Sequence, residues 1–195
     1  MAGRPFFNRM QRALVRVLLH RMVFGESSGG HACPHTRISP STCIEHKDSL
    51  YLADHVYIGP FNFLEASGGI TLEEGVQITS HCSIVTHSSH RSMRLLGRAY
   101  VQAATPCPGW ITGPVNVGAY SFIGPHSVIE AGTRLRRGTL VCAGSVVRGE
   151  FPEFAVLRGN PARLVGDTRG TDAALLQAHP EARSHYEGWA RGAGH

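Results

Sequence analysis

His87 is the residue best placed to do chemistry in this chain. It stands in Ile84-Val85-Thr86-His87-Ser88-Ser89-His90, where a regular apolar pattern stops and a stretch rich in Ser, Arg, Gly and Pro begins. An imidazole has an ordinary pKa of about 6.5, so at neutral pH it accepts a proton, and a positioned general base supplies about 10²–10⁴ in rate. The competing account is an ordinary surface histidine, in a chain that has 12 of them. Cys82 offers a nucleophile for a covalent route, but its place in the apolar pattern makes it a small core residue. Cys142, next to the inward Val141, faces outward and has no base assigned to it. His31, Cys33, His35, Cys43 and His46 gather metal-capable side chains within sixteen residues. Their spacing matches no standard zinc pattern, and no metal is expected.

The elements that must hold His87 follow from a period of six. Ile111, Val117, Ile123, Ile129, Leu135, Val141 and Val147 recur at that interval, and the fifth residue of each hexad is small: Val115, Ser121, Ser127, Thr133, Thr139 and Ser145. Six is a multiple of two, so both columns fall on one face of extended chain. The intervening Gly118, Gly124, Gly132, Gly138 and Gly144 weaken any long flat strand, so the chain must turn often. Coils of three short strands satisfy both, stacking Ile111 over Ile129 over Val147 one strand spacing apart, about 4.8 Å. The expected fold is an all-β solenoid, a β-helix.

Earlier in the chain the register runs Leu52, Ile58, Leu64, slips by two residues, and resumes as Leu72, Ile78, Ile84. The slip predicts a bulged corner near Ser67-Gly68-Gly69, and the failure between Ile84 and Ile111 predicts one long loop leaving the solenoid. Loops of that length are usually functional. Residues 5–24 read as an amphipathic helix, with Phe6, Phe7, Met10, Leu14, Val17 and Leu18 on one side and Arg9, Arg12 and Arg16 largely on the other. Residues 171–190 read as a second helix, capped by Thr171 or Asp172 and broken or kinked at Pro180. The resulting division is an N-terminal helical segment 1–30, a coil domain 31–166 with its extruded loop at 88–110, and a helical tail 167–195.

Composition narrows the partners. With 195 residues and 42% hydrophobic content the chain can build one real core. Five cysteines without CxxC spacing fit a reducing compartment. The formal charge is +5, and Lys47 is the single lysine among the arginines. Arginine forks suit phosphate oxygens. With no aromatic-basic alternation or nucleic-acid motif, a phosphate-bearing small molecule is expected rather than nucleic acid. No run approaches the about 20 apolar residues of a membrane span. The first 25 residues carry five arginines and no carboxylate. Arg16 and Arg21 interrupt the apolar stretch that a secretory signal needs, while a transit peptide stays a reading of this segment, although serine is missing there. Two further roles remain for the helix: packing over the open end of the solenoid, or lying in a membrane interface.

These residues resemble a family. The hexads, the Thr86-His87-Ser88-Ser89-His90 segment before an extruded loop, and the ending Gly144-Ser145-Val146-Val147 through Phe151-Pro152 to Gly159-Asn160-Pro161-Ala162-Arg163 are similar to the left-handed β-helix, hexapeptide-repeat acyltransferases. The similarity covers roughly residues 50–166 and is closest to the sugar and polysaccharide O-acetyltransferase branch, which includes galactoside and maltose acetyltransferases. The resemblance implies a left-handed parallel β-helix, a homotrimer with active sites between subunits, acetyl-CoA as acyl donor and a glycan acceptor. The cysteine usage points to a cytoplasmic setting, and the basic helix offers contact with the inner face of the membrane. His87 matches the family's base by its place, with His90 as the competing assignment.

Further roles follow from that placement. A histidine base is better held by a carboxylate, and Glu65 lies 22 residues before His87, about one coil plus the two-residue slip and part of a corner; Asn62 and Glu74 are weaker candidates for the acceptor region. The resemblance puts the coenzyme near Arg148, Arg158 and Arg163, with the backbone of Ala143, Gly144 and Ser145 along a coil edge. Asn160-Pro161 is a turn that positions Arg163. Arg91, Arg94, Arg98, Tyr100 and Trp110 decorate the loop and its return, and Trp110 offers a stacking face to a sugar or adenine. Phe122 stands where many members carry tryptophan, which puts that coenzyme contact in doubt.

The leading expectation is an acetyl-CoA-dependent O-acetyltransferase acting on a sugar hydroxyl by direct transfer. Its nearest rival is N-acetylation of an amino sugar. A zinc β-helix carbonic anhydrase using His81, His87 and His126, and a non-catalytic structural β-helix, are the others.

Overall fold

The structure, a computed structural model, describes residues 3–191; residues 1–2 and 192–195 of the two terminal segments lie outside the described residues. From His31 to Gly159 the chain visits three sheets in rotation. The first sheet contains Tyr57–Ile58, Gln77–Ile78, Phe122–Ile123 and Leu140–Val141; the second Cys43–Glu45, Phe63–Glu65, Ser83–Val85, Val128–Ile129 and Val146–Val147; the third Leu50–Leu52, Ile70–Leu72, Val115–Val117, Arg134–Leu135 and Glu150–Phe151. All these neighbours pair in parallel. Parallel pairing with so few residues per strand requires that the chain circle round between pairings, so the strands are the sides of stacked coils.

Register sets coil length. Ile38 pairs with Ile58 and Ile58 with Ile78, twenty residues apart, whereas Ile123 pairs with Val141 after eighteen. The two surplus residues fall between the second and third sheets: Leu64 to Leu72 takes eight positions and Ile129 to Leu135 takes six. The slip read from the sequence is therefore a longer corner at residues 66–69.

One expected stack is corrected. Ile111 does not lie over Ile129; Ile84 does, with Val147 beyond it. Ile111 instead pairs antiparallel with Ser88, and Thr112 with His87, closing the stem of the extruded loop. Its hexad spacing continues in sequence across a segment that has not yet re-entered the coil. Within the loop, His90–Leu96 form a short helix and Gly97–Gln102 a 3-10 helix.

The core is the aliphatic column. Ile58, Ile78, Ile123 and Val141 are fully buried, as are Leu64, Ile84, Ile129 and Val147, each contributing about 1.5–3 kcal/mol of apolar burial. The small column points inward with it. Ser121, Ser127, Thr133, Thr139 and Ser145 are buried, and their hydroxyls reach backbone carbonyls at the corners, as Thr139 Oγ1 donates to Arg136 O at 2.6 Å and Ser145 Oγ to Cys142 O at 2.7 Å. A short hydroxyl fits the tapering corner and satisfies a carbonyl that the ladder leaves over.

Hairpins close both ends of the first sheet: Val23–Ser28 against His31–Ile38, and Ala155–Gly159 against Ala162–Asp167. The second is followed by helices at Thr168–Ala178 and Arg183–Ala190, interrupted at Pro180 as expected. The helix starts earlier than expected, because Asp167, not Thr171 or Asp172, accepts the Arg169 N–H as cap. Trp189 anchors this tail, stacking on Tyr120 at 4.7 Å and meeting Phe154 at 5.8 Å. Gly138, at φ +68, is required beneath Phe154, since a Cβ there would come within 2.5 Å of the ring.

The N-terminal helix runs Gly3–Leu19, shorter than the segment expected, and residues 23–28 form a strand. It does not seal the end of the coil: Phe6, Phe7, Met10, Leu14, Val17 and Leu18 remain exposed. Among the described residues no helix is long and apolar enough to cross a membrane.

Candidate active site

The long corner and the loop stem bring Glu65 and His87 together. Both follow inward aliphatics of the second sheet, Leu64 and Ile84, which are paired across adjacent coils. The strand carries Glu65 to the edge of the core, where it is buried, while His87 stands half-exposed at the stem. His87 Nδ1 lies 2.7 Å from Glu65 Oε2. A carboxylate there makes Nδ1 the protonated nitrogen, leaving the Nε2 lone pair to accept a proton from elsewhere.

The carboxylate is itself held. Thr86 N–H donates to Oε2 at 3.1 Å, Thr86 Oγ1 lies 2.8 Å from the same oxygen, and Ser67 N–H donates to Oε1 at 2.9 Å. Burial alone would push this carboxyl up; hydrogen bonds from Ser67, Thr86 and His87 overcome it and hold Glu65 at about 2. Ser67 Oγ also lies 3.2 Å from His87 Nδ1. Gly68 permits this approach: its N–H donates to Thr86 Oγ1 at 2.7 Å, and a Cβ would come within 3.0 Å of Thr86 and Thr112.

On its other side the imidazole is covered by Trp110, whose ring is stacked on it at 4.8 Å and 7°. Trp110, expected as a face for sugar or adenine, thus gives one face to His87. Ser67, Thr86 and the Trp110 stack are the functional features that sequence reasoning missed. Ser67 had a signal in the bulged corner twenty residues before His87; Thr86 and Trp110 had none beyond adjacency to the loop.

A hollow of about 160 Å³ opens beside the imidazole, lined by His87, His90, Ile111, Glu130 and Arg148 among others. Larger hollows lie beneath the C-terminal helices around Tyr120, Tyr186 and Trp189, without a buried carboxylate–imidazole pair. His90 reaches Ser88 Oγ at 2.7 Å. Arg91 and Arg94 are exposed on the loop helix, and Tyr100 is half-buried in the 3-10 turn.

The arginines divide. Arg148 follows Val147 on the second sheet and faces the His87 hollow. Arg158 and Arg163 are direct cross-strand partners in the terminal hairpin. Gly159 N–H donates to Ser145 Oγ, so that hairpin adjoins the Ala143–Ser145 corner. In that corner Gly144 N–H is taken by Pro125 O and Ser145 C=O by Val128 N–H, which leaves fewer backbone groups for a ligand than the coil-edge expectation assumed.

Asn62 is a correction. It is buried, and its amide donates to Gly59 O at 2.9 Å and Thr79 O at 2.7 Å while accepting from Cys82 N–H at 2.7 Å. These three bonds brace corners of two coils, and burial keeps the side chain away from an acceptor. Glu74 likewise accepts the Tyr120 hydroxyl at 2.8 Å. Cys82 is buried with Sγ 3.3 Å from Gly124 O, and burial pushes its thiol up, away from the reactive thiolate. The five metal-capable residues at 31–46 do not converge: Cys33 is buried against Leu52 O, while His35 pairs with Asp54 at 2.8 Å. His81 and His126 stack on each other at 4.9 Å, while His87 stacks on Trp110.

No protein-family model matches the chain. The Mycobacterium tuberculosis protein named "Probable acetyltransferase Rv3034c" is 28% identical over 125 residues, 64% of this chain. The matched stretch spans 39% of that relative, well under half its length. A hexapeptide-repeat acetyltransferase from Vibrio cholerae, solved with acetyl-CoA, superposes with a TM-score of 0.57 at 23% identity, covering 82% of this chain and 77% of that one. AntD, an N-acyltransferase from Bacillus cereus solved with dTDP and 3-hydroxybutyryl-CoA, gives 0.59 at 16% identity, covering 89% and 96%. A galactoside acetyltransferase in complex with coenzyme A gives 0.54 at 18% identity, covering 69% and 63%. At such identities the likeness is one of architecture: this chain is similar in fold to these acyltransferases.

Proposed function

We propose that this chain transfers acetyl from acetyl-CoA to a sugar hydroxyl of a glycan or polysaccharide precursor, with His87 as general base. The observation that carries this is the buried Glu65 carboxylate 2.7 Å from His87 Nδ1, which fixes the tautomer whose Nε2 accepts a proton. As Nε2 removes the hydroxyl proton, the sugar oxygen attacks the thioester carbonyl carbon and a tetrahedral oxyanion forms. The C–S bond then breaks, the imidazolium returns its proton to the departing sulfur, and ester and free thiol result. Glu65 stabilises the imidazolium between the two transfers. Transfer is direct, because Cys82 is spent in the core.

The hollow beside His87, at about 160 Å³, is below the about 300–1,000 Å³ usual for a drug-sized ligand. It accommodates the reacting end of a donor, which supports a homotrimer in which a neighbouring copy completes the groove. Arg148 then lies at the reacting end, and Arg158 and Arg163 are placed for coenzyme phosphates. We take the coil as left-handed, on the resemblance, and the setting as cytoplasmic, on the cysteine usage.

N-acylation of an amino sugar is the second reading, supported by the likeness to AntD. The dyad serves either, but a hydroxyl needs a base throughout attack and gains more from one so firmly held. The test is thiol release from acetyl-CoA across paired acceptors, alcohol and amine forms of the same sugars, with product mass read directly. Acetyl ester formation that is lost in His87→Asn is expected. Turnover of the amines alone favours the second reading, and release unaffected in His87→Asn removes the proposed base.

A further inference from the structure

The helix Gly3–Leu19 has one face that nothing in the chain covers. At 100° per residue, Phe6, Phe7, Met10, Leu14, Val17 and Leu18 occupy an arc of about 120°, and these residues are 52–72% exposed. Val23 and Phe24, just beyond the helix, are exposed as well. Opposite lie Arg9, Arg12 and Arg16, with Arg4 and Arg21 near the helix ends. Glu26 is the first carboxylate in the chain, and it pairs with Lys47 at 3.5 Å. Among the described residues none of these five arginines forms an ion pair.

A seventeen-residue helix with an uncovered apolar stripe is marginal in water and needs a surface to bury it. Charge decides which surface. Self-association of three such helices through their apolar arcs leaves the outward arginines with no carboxylate to compensate them. An anionic bilayer answers both faces at once, taking the apolar arc below the headgroups and matching each guanidinium to a lipid phosphate.

We propose that residues 3–24 form an in-plane anchor that seats this protein on anionic lipid. The helix would lie flat, with Phe6, Phe7, Met10, Leu14, Val17, Leu18 and Phe24 in the acyl boundary and Arg9, Arg12 and Arg16 at the phosphates. The anchor is independent of the acyl-transfer reading.

The test is co-sedimentation of the full chain with vesicles of phosphatidylcholine alone or with phosphatidylglycerol at one lipid in three. Binding to the anionic vesicles only, weakened by salt, is expected. Arg9→Gln/Arg12→Gln/Arg16→Gln should weaken it about a hundredfold, and Leu14→Asp/Leu18→Asp at least about tenfold, with the mass in solution unchanged. Equal binding to both vesicles, or none to either, overturns the proposal. So does Leu14→Asp/Leu18→Asp dissociating the protein into smaller species, which would mean that another copy covers the face. The unmodified chain's vesicle and salt dependence decides the matter even where a variant folds poorly.

Discussion

Glu65 and His87, twenty-two residues apart in the chain, meet at 2.7 Å across adjacent coils, the first buried and the second half-exposed. The pair divides two tasks, charge held out of water and a nitrogen offered to it.

Removing the nitrogen and removing the charge should therefore have different sizes of effect. His87→Ala is expected to lower kcat by about 10²–10⁴, and Glu65→Gln by about 10–100, each with little change in KM for acetyl-CoA. Steady-state kinetics on the acceptor identified by the panel check this.

Stability should depend on pH through Glu65. Its folded pKa of about 2 lies below the ordinary 4.5, so its contribution is complete above pH 4.5 and is lost as pH falls from there towards 2. The difference corresponds to about 3 kcal/mol. Urea unfolding at pH 6, 4.5 and 3 should show a steeper loss for the unmodified chain than for Glu65→Gln.

Gly68→Ala tests the closeness of the corner to the stem. The added methyl meets Thr86 and Thr112 at 3.0 Å, and the corner must move away. A loss of about 1–3 kcal/mol with a fall in kcat beyond that explained by unfolding is expected; unchanged kcat means the corner does not set the dyad.

Asn62→Ala should destabilise the coil while leaving chemistry alone. Three buried bonds disappear, at a cost of about 2–4 kcal/mol, and kinetic constants per folded molecule should stay within about twofold. A raised KM for the acceptor would restore Asn62 to the binding site.

Trp189→Ala should release the tail. With its stacking on Tyr120 and Phe154 gone, residues 168–191 should become protease-sensitive while the coil keeps its melting transition, as limited proteolysis with mass mapping would show.

The coil was readable because each column obeys one rule at one interval. Ile84 over Ile129 over Val147 needs only inward burial every turn, and Glu65 came within reach of His87 by counting about one coil plus the slip and part of a corner. Ile111 misled because a column records spacing in sequence, and its strand belongs to the loop stem. Asn62 and Trp110 were assigned by type, an amide and an indole near a site. What decided them was which neighbours had unmet bonds or uncovered rings: Cys82 N–H and two carbonyls for Asn62, and the His87 ring for Trp110. Apart from the Gly59 carbonyl, these demands come from seventeen or more residues away and leave no local pattern.

The eight-residue corner at Leu64–Leu72 has a final consequence. In the later coil, where six residues make the same turn, the counterpart of Glu65 is Glu130, which follows Ile129 as Glu65 follows Leu64, both aliphatics being register partners of Ile84, and it is half-exposed. A long turn does not bury the carboxylate by itself, since Glu45 at the same station is also followed by eight positions and is exposed; Glu65 is sequestered where its corner supplies the Ser67 N–H and the next coil supplies Thr86. Since each coil touches only the coils above and below, such a length change disturbs two neighbours and leaves the stack intact. Reactivity in this architecture is therefore open to insertion and deletion at the corners as well as to substitution. A site can arise, or vanish, by a change in the count of residues.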